Sequence, residues 1–265
     1  MSVFKDKVIW ITGASSGIGE ALAMEFAKQE ARLILSARRE DELKRVAQAA
    51  KLPDLDILVL PFDLKDTSNA SALSAQIINK FGRIDILINN GGNSQRAEAM
   101  STSEATEREL MEVNYFAHVN ITKAALPYMK RQKSGHIVVV SSIAGKFGFY
   151  LRSSYSAAKH ALHGYFESLR LETENLGIKT LVVCPGKVKT NVSLNAIAVG
   201  GKQHGKMDES HENAMSAEEC AKQIIKGIVN SEEEILIGGK EIKAVTLKRF
   251  FPKWFGKIIR KQSPY

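Results

Sequence analysis

Tyr155 and Lys159 stand four residues apart in Ser153-Ser154-Tyr155-Ser156-Ala157-Ala158-Lys159, with a serine pair, Ser141-Ser142, upstream and a glycine-rich turn, Thr12 to Gly19, far upstream. Residues four apart share one face of a helix, so an ammonium group placed there sits beside the phenol and favours its ionised form. Free tyrosine titrates near 10, too high to exchange a proton readily at neutral pH, so a neighbouring cation is needed. A hydroxyl at the end of a strand can hydrogen-bond a carbonyl oxygen and stabilise the charge that develops there. Together these groups imply redox chemistry. A lone Tyr-x-x-x-Lys carries little weight, because both residue types are common on helix surfaces. The serines and the glycine turn make it specific.

The glycine turn sits where a phosphate needs it. Val8-Ile9-Trp10-Ile11 reads as a strand and runs directly into Thr12-Gly13-Ala14-Ser15-Ser16-Gly17-Ile18-Gly19, after which Ala21, Leu22, Met24 and Phe26 read as a helix. Glycines let the backbone approach a pyrophosphate closely, and the helix N-terminus supplies free N–H groups and a positive dipole end. The spacing is Gly-x-x-x-Gly-x-Gly rather than the commoner Gly-x-Gly-x-x-Gly. A purely structural bend is the alternative, and the flanking strand and helix speak against it. Charge argues the choice of cofactor. A dinucleotide fold that selects NAD places a carboxylate about twenty residues past the glycines, on the ribose 2′-OH. Here Leu33-Ile34-Leu35-Ser36 leads instead to Ala37-Arg38-Arg39. A guanidinium pairs with a 2′-phosphate that a carboxylate would repel. NADP(H) is the expected cofactor, with Ser36, Arg38 and Arg39 as contacts. The bland reading of the arginines is a solvated helix start with Glu40, Asp41 and Glu42.

Short β-branched runs alternate with helical patterns along the chain, the βαβ signature of a parallel sheet. Strands are expected near Val8 to Ile11, Arg32 to Ser36, Asp56 to Leu60, Ile86 to Asn89, His136 to Ser141, Thr180 to Cys184 and Ile235 to Ile237. Runs such as Ile137-Val138-Val139-Val140 are apolar on consecutive residues, as strands covered on both faces are. The fold class is therefore α/β, a doubly wound seven-stranded parallel sheet with helices on both faces. Gly177 is expected to close the helix from Ser154 to Leu176, Gly82 another, and Ser216-Ala217-Glu218-Glu219 reads as a capping box. Between Thr190 and Met215 no period is sustained, and a loop that long suggests a substrate lid near 190–215, with a merely flexible insertion as the alternative.

Taken together, these motifs resemble the short-chain dehydrogenase/reductase family, which carries Thr-Gly-x-x-x-Gly-x-Gly, Asn-Asn-Ala-Gly, a serine and Tyr-x-x-x-Lys in that order. The counterparts here are Thr12 to Gly19, Asn89-Asn90-Gly91-Gly92, Ser142 and Tyr155 to Lys159, followed by Pro185-Gly186-Lys187-Val188-Lys189-Thr190. The resemblance spans roughly residues 5–240 and implies a Rossmann-like domain over 1–239, carrying the lid, with a tail over 240–265. It implies that Gly13, Ser15, Ser16, Gly17, Ile18 and Gly19 hold the cofactor phosphates and that Asp63 and Leu64 flank the adenine. Asn90 and Gly91 would line the cofactor, and Val188 and Thr190 would hold its nicotinamide end. Tyr155 becomes the acid in reduction and the base in oxidation, and Lys159 also holds the nicotinamide ribose. Ser142 is preferred over Ser141 by its thirteen-residue separation from Tyr155, and Asn114 matches an asparagine that anchors a water relay. Homodimers or homotetramers are implied, built through the helices that carry Asn114 and Tyr155. In two places the chain departs from the pattern: Gly91 replaces alanine, and Glu30 stands where glycine is usual, so a strained turn is expected there. A different class stays open: a sensor or scaffold that binds NADP without turnover. The full Asn, Ser, Tyr and Lys set speaks against it.

Composition agrees with one soluble domain: 265 residues, 44% hydrophobic and 25% charged. No apolar run reaches the ~18 residues of a spanning helix, and no secretory h-region precedes the first strand, so a cytoplasmic address is expected. The net charge of +8 is concentrated at one end. Residues 240–265 hold eight lysines and arginines against Glu241 alone, seven of the eight net charges. A nearly neutral body argues against nucleic-acid binding. In the tail Phe251, Trp254, Phe255, Ile258 and Ile259 recur at helical spacing opposite Lys253, Lys257, Arg260 and Lys261. That pattern suits either peripheral membrane contact or burial against the protein's own core or a subunit partner. Cys184 and Cys220 read as structural thiols. No metal is expected, because none of the six histidines pairs with acids or cysteines at a ligand spacing. A small-molecule carbonyl or alcohol is the expected substrate, with a lean to hydrophobic ketones from Phe147, Phe149, Tyr150 and Leu151.

Overall fold

The computed structural model describes residues 2–205 and 214–263. In chain order the strands and helices are β1 (Val8–Thr12), α1 (Gly17–Ala27), β2 (Arg32–Ser36), α2 (Glu40–Ala50), β3 (Ile57–Val59), α3 (Ala70–Phe81), β4 (Ile86–Asn89), β5 (Gln95–Arg96), α4 (Glu104–Met111), α5 (Ala117–Gln132), β6 (Gly135–Val140), α6 (Ser153–Thr173), β7 (Ile178–Pro185), β8 (Ile197–Ala198), α7 (Ala217–Val229), β9 (Glu234–Ile237), α8 (Lys243–Phe250) and α9 (Pro252–Arg260). Seven strands pair in the order β3-β2-β1-β4-β6-β7-β9, every pair parallel.

Parallel strands need both faces covered, and the side chains divide accordingly. Ile9, Ile11, Leu33, Leu35, Val138 and Val183 pack with residues of α1, α2 and α7 on one face. Val8, Trp10, Ile34, Leu87, Ile137 and Val182 pack with α3, α5 and α6 on the other. Burial of each such side chain contributes roughly 1.5–3 kcal/mol. Trp10 is wholly buried, and its indole N–H donates to the Ser36 hydroxyl at 2.9 Å, so the one polar atom of the largest core residue is satisfied. A third cluster of Ile143, Phe147 and Phe255 stands apart from the sheet.

The seven expected strands are present, with ends shifted by a residue or two. Gly82 and Gly177 adopt left-handed φ of 75° and 72°, although α6 ends at Thr173 and a 3-10 turn, Glu174–Leu176, intervenes before Gly177. Ser216 and Glu219 form the reciprocal capping box. Glu30 carries a positive φ of 58°, the strained turn expected where glycine is absent. Two features escaped the sequence reading. A π turn, Glu112–Phe116, joins α4 to α5, and β5 and β8 form a separate two-stranded parallel ribbon. That ribbon anchors the first part of the expected lid; residues 206–213 of the lid, with His211, lie outside the described residues.

Candidate active site

The sheet order reverses between β1 and β4, and ligands of open α/β sheets bind at such a switch point, beyond the strand C-termini. A cleft of about 1450 Å³ opens there, more than the ~300–1,000 Å³ of ordinary small-ligand sites. One end is made largely of main chain. A Cβ on Gly13, whose φ is +67°, would lie 2.6 Å from the Gly91 Cα, and one on Gly19 would lie 2.2 Å from the Gly13 carbonyl oxygen. Asn90 secures this contact: its Nδ2 donates to the Thr12 carbonyl at 3.0 Å, while its N–H donates to the Thr12 hydroxyl at 3.0 Å. The turn opens into α1, whose first N–H groups have no partner within the helix. Ser16 at its N-cap makes no side-chain cap, which leaves those donors for an anion. A dinucleotide fits this cradle, where any side chain would fill the space the glycines leave.

Ser15, Ser16, Gly17 and Ile18 line the cleft; Gly19 packs beneath it. Arg38 and Arg39 are exposed on its rim, and Arg39 donates to the Ser15 hydroxyl at 3.4 Å. Ser36 also lines the cleft, but it is wholly buried and its hydroxyl already accepts the Trp10 N–H. Asp63 and Leu64 border the same end, with the Asp63 carboxylate accepting the Lys65 N–H at 3.0 Å. Val188 and Thr190 lie along the middle, Thr190 against Gly17.

Tyr155 and Lys159 project from the first turns of α6. The helix lacks a side-chain cap from Arg152. Gln95 supplies one across the chain, its Oε1 accepting the N–H of Ser154 at 2.9 Å and of Tyr155 at 3.2 Å. Gln95 is wholly buried, and its Nε2 donates to the Thr102 hydroxyl at 2.8 Å. It therefore fixes the origin of the helix that carries the tyrosine, a role no local pattern announces. The Lys159 Nζ donates to the Val140 carbonyl at 2.8 Å and stands 5.8 Å from the centre of the Tyr155 ring. The two serines divide their work. Ser141 donates to the Lys159 carbonyl at 3.1 Å and meets His163 Nε2 at 3.1 Å, so its hydroxyl is spent on holding α6. Ser142 accepts the Ala144 N–H at 3.1 Å and donates to the Pro185 carbonyl at 3.4 Å, and it lines the cleft together with Tyr155.

Burial raises the Tyr155 phenol above its ordinary value, opposed by Arg152, Ser142 and Arg96. Lys159 is itself pushed down to about 8 by burial, so its ammonium is held against a desolvation cost. Asn114, wholly buried on the π turn, donates to Asn93 Oδ1 and to the Leu110 carbonyl, both at 2.9 Å. A Cβ at Gly92 would lie 2.6 Å from its Oδ1 and 3.8 Å from the Lys159 Nζ, so the glycine lets asparagine and lysine approach. One turn on, His118 is wholly buried, and burial together with the Lys159 charge pushes it down to about 3. It is a neutral imidazole at any working pH.

The other end of the cleft is built of side chains. Phe147 and Phe149 stack with ring centres 4.7 Å apart, and Phe255 of α9 meets Phe147 edge-on at 4.9 Å. The tail is therefore a wall of the cleft, with Leu247, Phe251, Ile258 and Ile259 beside Phe255. Two ties hold it. Lys248 donates to the Lys146 carbonyl at 2.7 Å, and Glu241 Oε1 accepts the N–H of Lys187 at 3.1 Å and of Gly239 at 3.2 Å.

Away from the cleft, both cysteines are buried, and burial pushes each thiol up to about 12. Sequence spacing shows no histidine with acids or cysteines as ligands, but the fold brings one such group together in space. His163, Cys184 and Glu234, far apart in sequence, converge within 4.8 Å of one another. Lys146 already pairs with that Glu234 carboxylate. His163 and Lys146 together hold it down to about 2, so a cation is in place beside it.

The family model for short chain dehydrogenases matches residues 7–198. The human protein called dehydrogenase/reductase SDR family member 7 is 42% identical over 266 residues, covering 97% of this chain and 78% of that one. A short-chain dehydrogenase from Streptomyces avermitilis, 27% identical, covers 98% of this chain and 100% of its own with a TM-score of 0.81. A short chain dehydrogenase/reductase from Burkholderia phymatum, solved in complex with NAD, reaches 0.84 over 96% of each chain at 22% identity, a likeness of fold alone. Among the described residues no helix is long and apolar enough to cross a membrane.

Proposed function

The chain belongs to the short-chain dehydrogenase family, and on that premise we propose that it is an NADP(H)-dependent oxidoreductase acting on a carbonyl or alcohol, with Tyr155 as the acid and base. The observation that carries this reading is that Tyr155, Ser142 and Lys159 line the same cleft that the glycine turn borders, with the Lys159 Nζ 5.8 Å from the centre of the Tyr155 ring. The cofactor supplies hydride when bound. Gly13 to Ile18 and the α1 N-terminus would hold its phosphates, Arg38 and Arg39 its 2′-phosphate, and Val188, Thr190 and Lys159 its nicotinamide end. Arg38 and Arg39 favour NADP(H), because the rim holds two guanidinium groups where an NAD site would place a carboxylate.

In reduction Ser142 donates a hydrogen bond to the substrate carbonyl oxygen, and Tyr155 passes its proton to that oxygen as charge grows there. The Lys159 ammonium and the Arg152 and Arg96 charges stabilise the tyrosinate that remains. Asn114, next to Lys159 across Gly92, would anchor the route by which the proton is replaced. The aromatic wall of Phe147, Phe149 and Phe255 favours apolar ketones. Residues 190–215 would cover them, and assembly into a homodimer or homotetramer through the helices that carry Asn114 and Tyr155 belongs to the same reading.

The test is NADPH consumption with a panel of ketones and aldehydes. Tyr155→Phe is expected to lower kcat about a thousandfold, within the range of general acid catalysis, while NADPH affinity, followed by fluorescence, stays largely intact. Undiminished turnover would sink the assignment. Substrate-independent binding of NADPH without turnover by the unaltered protein would favour the sensor reading.

A further inference from the structure

Packing consumes only half of the apolar stripe on the tail. Phe255 is buried against Phe147, and Ile259 packs on the same cluster. Trp254 and Ile258, one position earlier on the same turns, stay 59% and 39% exposed, and Phe250 and Phe251 just before them are 69% and 60% exposed. Next around α9 come Lys253, Lys257 and Lys261, all exposed. The helix surface thus passes from buried aromatic to exposed aromatic to cation, the profile of a helix lying in a headgroup layer. A cluster of exposed large apolar side chains on a water-facing helix marks an interaction surface.

Charge indicates the partner. The tail carries seven of the chain's eight net positive charges, and each lysine or arginine near an anionic leaflet strengthens attraction about fivefold. A second copy of this chain has no opposing charge of that size, because the body outside the tail is nearly neutral. An anionic lipid surface has it. The position of the patch adds a second observation: Phe251 and Ile258 also line the cleft, so the exposed face is the rim of the substrate end.

We propose that Phe250, Phe251, Trp254 and Ile258, with the flanking lysines, seat the protein on an anionic lipid surface and set the mouth of the substrate cleft against it, so that an apolar carbonyl compound enters from the lipid. The docking stands by itself; the entry of a carbonyl substrate rests on the reductase reading above.

Two double variants test it at positions that are exposed and lie off the cleft wall: Phe250→Ser with Trp254→Ser, and Lys253→Glu with Lys257→Glu. The full chain is sedimented with vesicles of phosphatidylcholine alone or of an equimolar mixture with phosphatidylglycerol. Binding to the mixed vesicles only is expected, weakened about tenfold or more by either pair, with NADPH affinity unchanged. Turnover of a long-chain ketone dissolved in the vesicles falls in step with binding, and that of a short water-soluble ketone does not. Absence of binding, equal binding to both vesicles, or binding that survives both pairs overturns the proposal. So does a concentration-dependent dimer that the Phe250 and Trp254 changes dissolve, because a second copy would then cover the face. If the unaltered protein reduces neither ketone, the reductase reading falls while sedimentation still decides the docking.

Discussion

The two ends of the cleft are built from different materials. The glycine end is main chain brought so close that no Cβ fits, with Gly13 against Gly91 and Gly19 against the Gly13 carbonyl. The aromatic end is side chain, assembled from the segment after β6 and from two helices at the far end of the sequence. A surface of backbone recognises what all dinucleotides share, and it tolerates no added atom. A surface of side chains recognises shape and can be altered one residue at a time. Tyr155 and Lys159 stand between the two.

Breaking the glycine end should have the largest effect. Gly19→Ala places a methyl 2.2 Å from a carbonyl oxygen, and overpacking of this kind costs about 1–3 kcal/mol; NADPH affinity is expected to fall up to about a hundredfold. Arg38→Ala probes the rim instead of the floor. Loss of one charge-assisted contact, about 1.5–3 kcal/mol, should weaken NADPH by roughly ten- to a hundredfold and leave NADH unchanged; equal losses for both would remove Arg38 from the 2′-phosphate. At the aromatic end, Phe255→Ala should raise KM for an apolar ketone about tenfold, on the order of the burial energy of one such side chain, with NADPH affinity intact. A parallel fall in NADPH affinity would show that the two ends are not separable.

The smallest effect is in pH. Lys159 titrates at about 8 in the protein alone, so it is charged below that value and loses its charge as pH rises through it. The kcat/KM for NADPH, which reports the free protein, should therefore decline above about pH 8. An unshifted lysine would hold the rate level to above pH 10.

These two ends were also unequally legible in the sequence. The strands and the glycine turn are local: a run such as Val8 to Ile11 followed by Thr12 to Gly19 states its own conformation, and the parallel sheet follows from the alternation. Arg38 and Arg39 were readable because they follow β2 directly. Gln95 was not, since its service to Ser154 and Tyr155 crosses some sixty residues. The β5–β8 ribbon is too short to carry a period, and the π turn depends on one extra residue in a helix that reads as continuous. The convergence of His163, Cys184 and Glu234 needed three elements to meet. In the tail the pattern offered membrane or core as alternatives, and the stripe splits: Phe255 and Ile259 pack inward while Trp254 stays exposed.

Glu241 joins the two regions that the comparison separates. Its carboxylate is held below its ordinary range even though partial burial opposes this, because main-chain N–H groups at Lys187, Glu241 and Gly239 bond to it. A side chain at Gly186 would strike it at 2.5 Å. Lys187 begins the segment that carries Val188 and Thr190 along the cleft, and Glu241 begins the tail. Opening either segment breaks the hydrogen bonds that Glu241 shares between them, which couples the two in local unfolding. Their amide protons would exchange with solvent at a common rate, and a protease that clips the start of α8 would act only as often as the loop beside the nicotinamide end lets go.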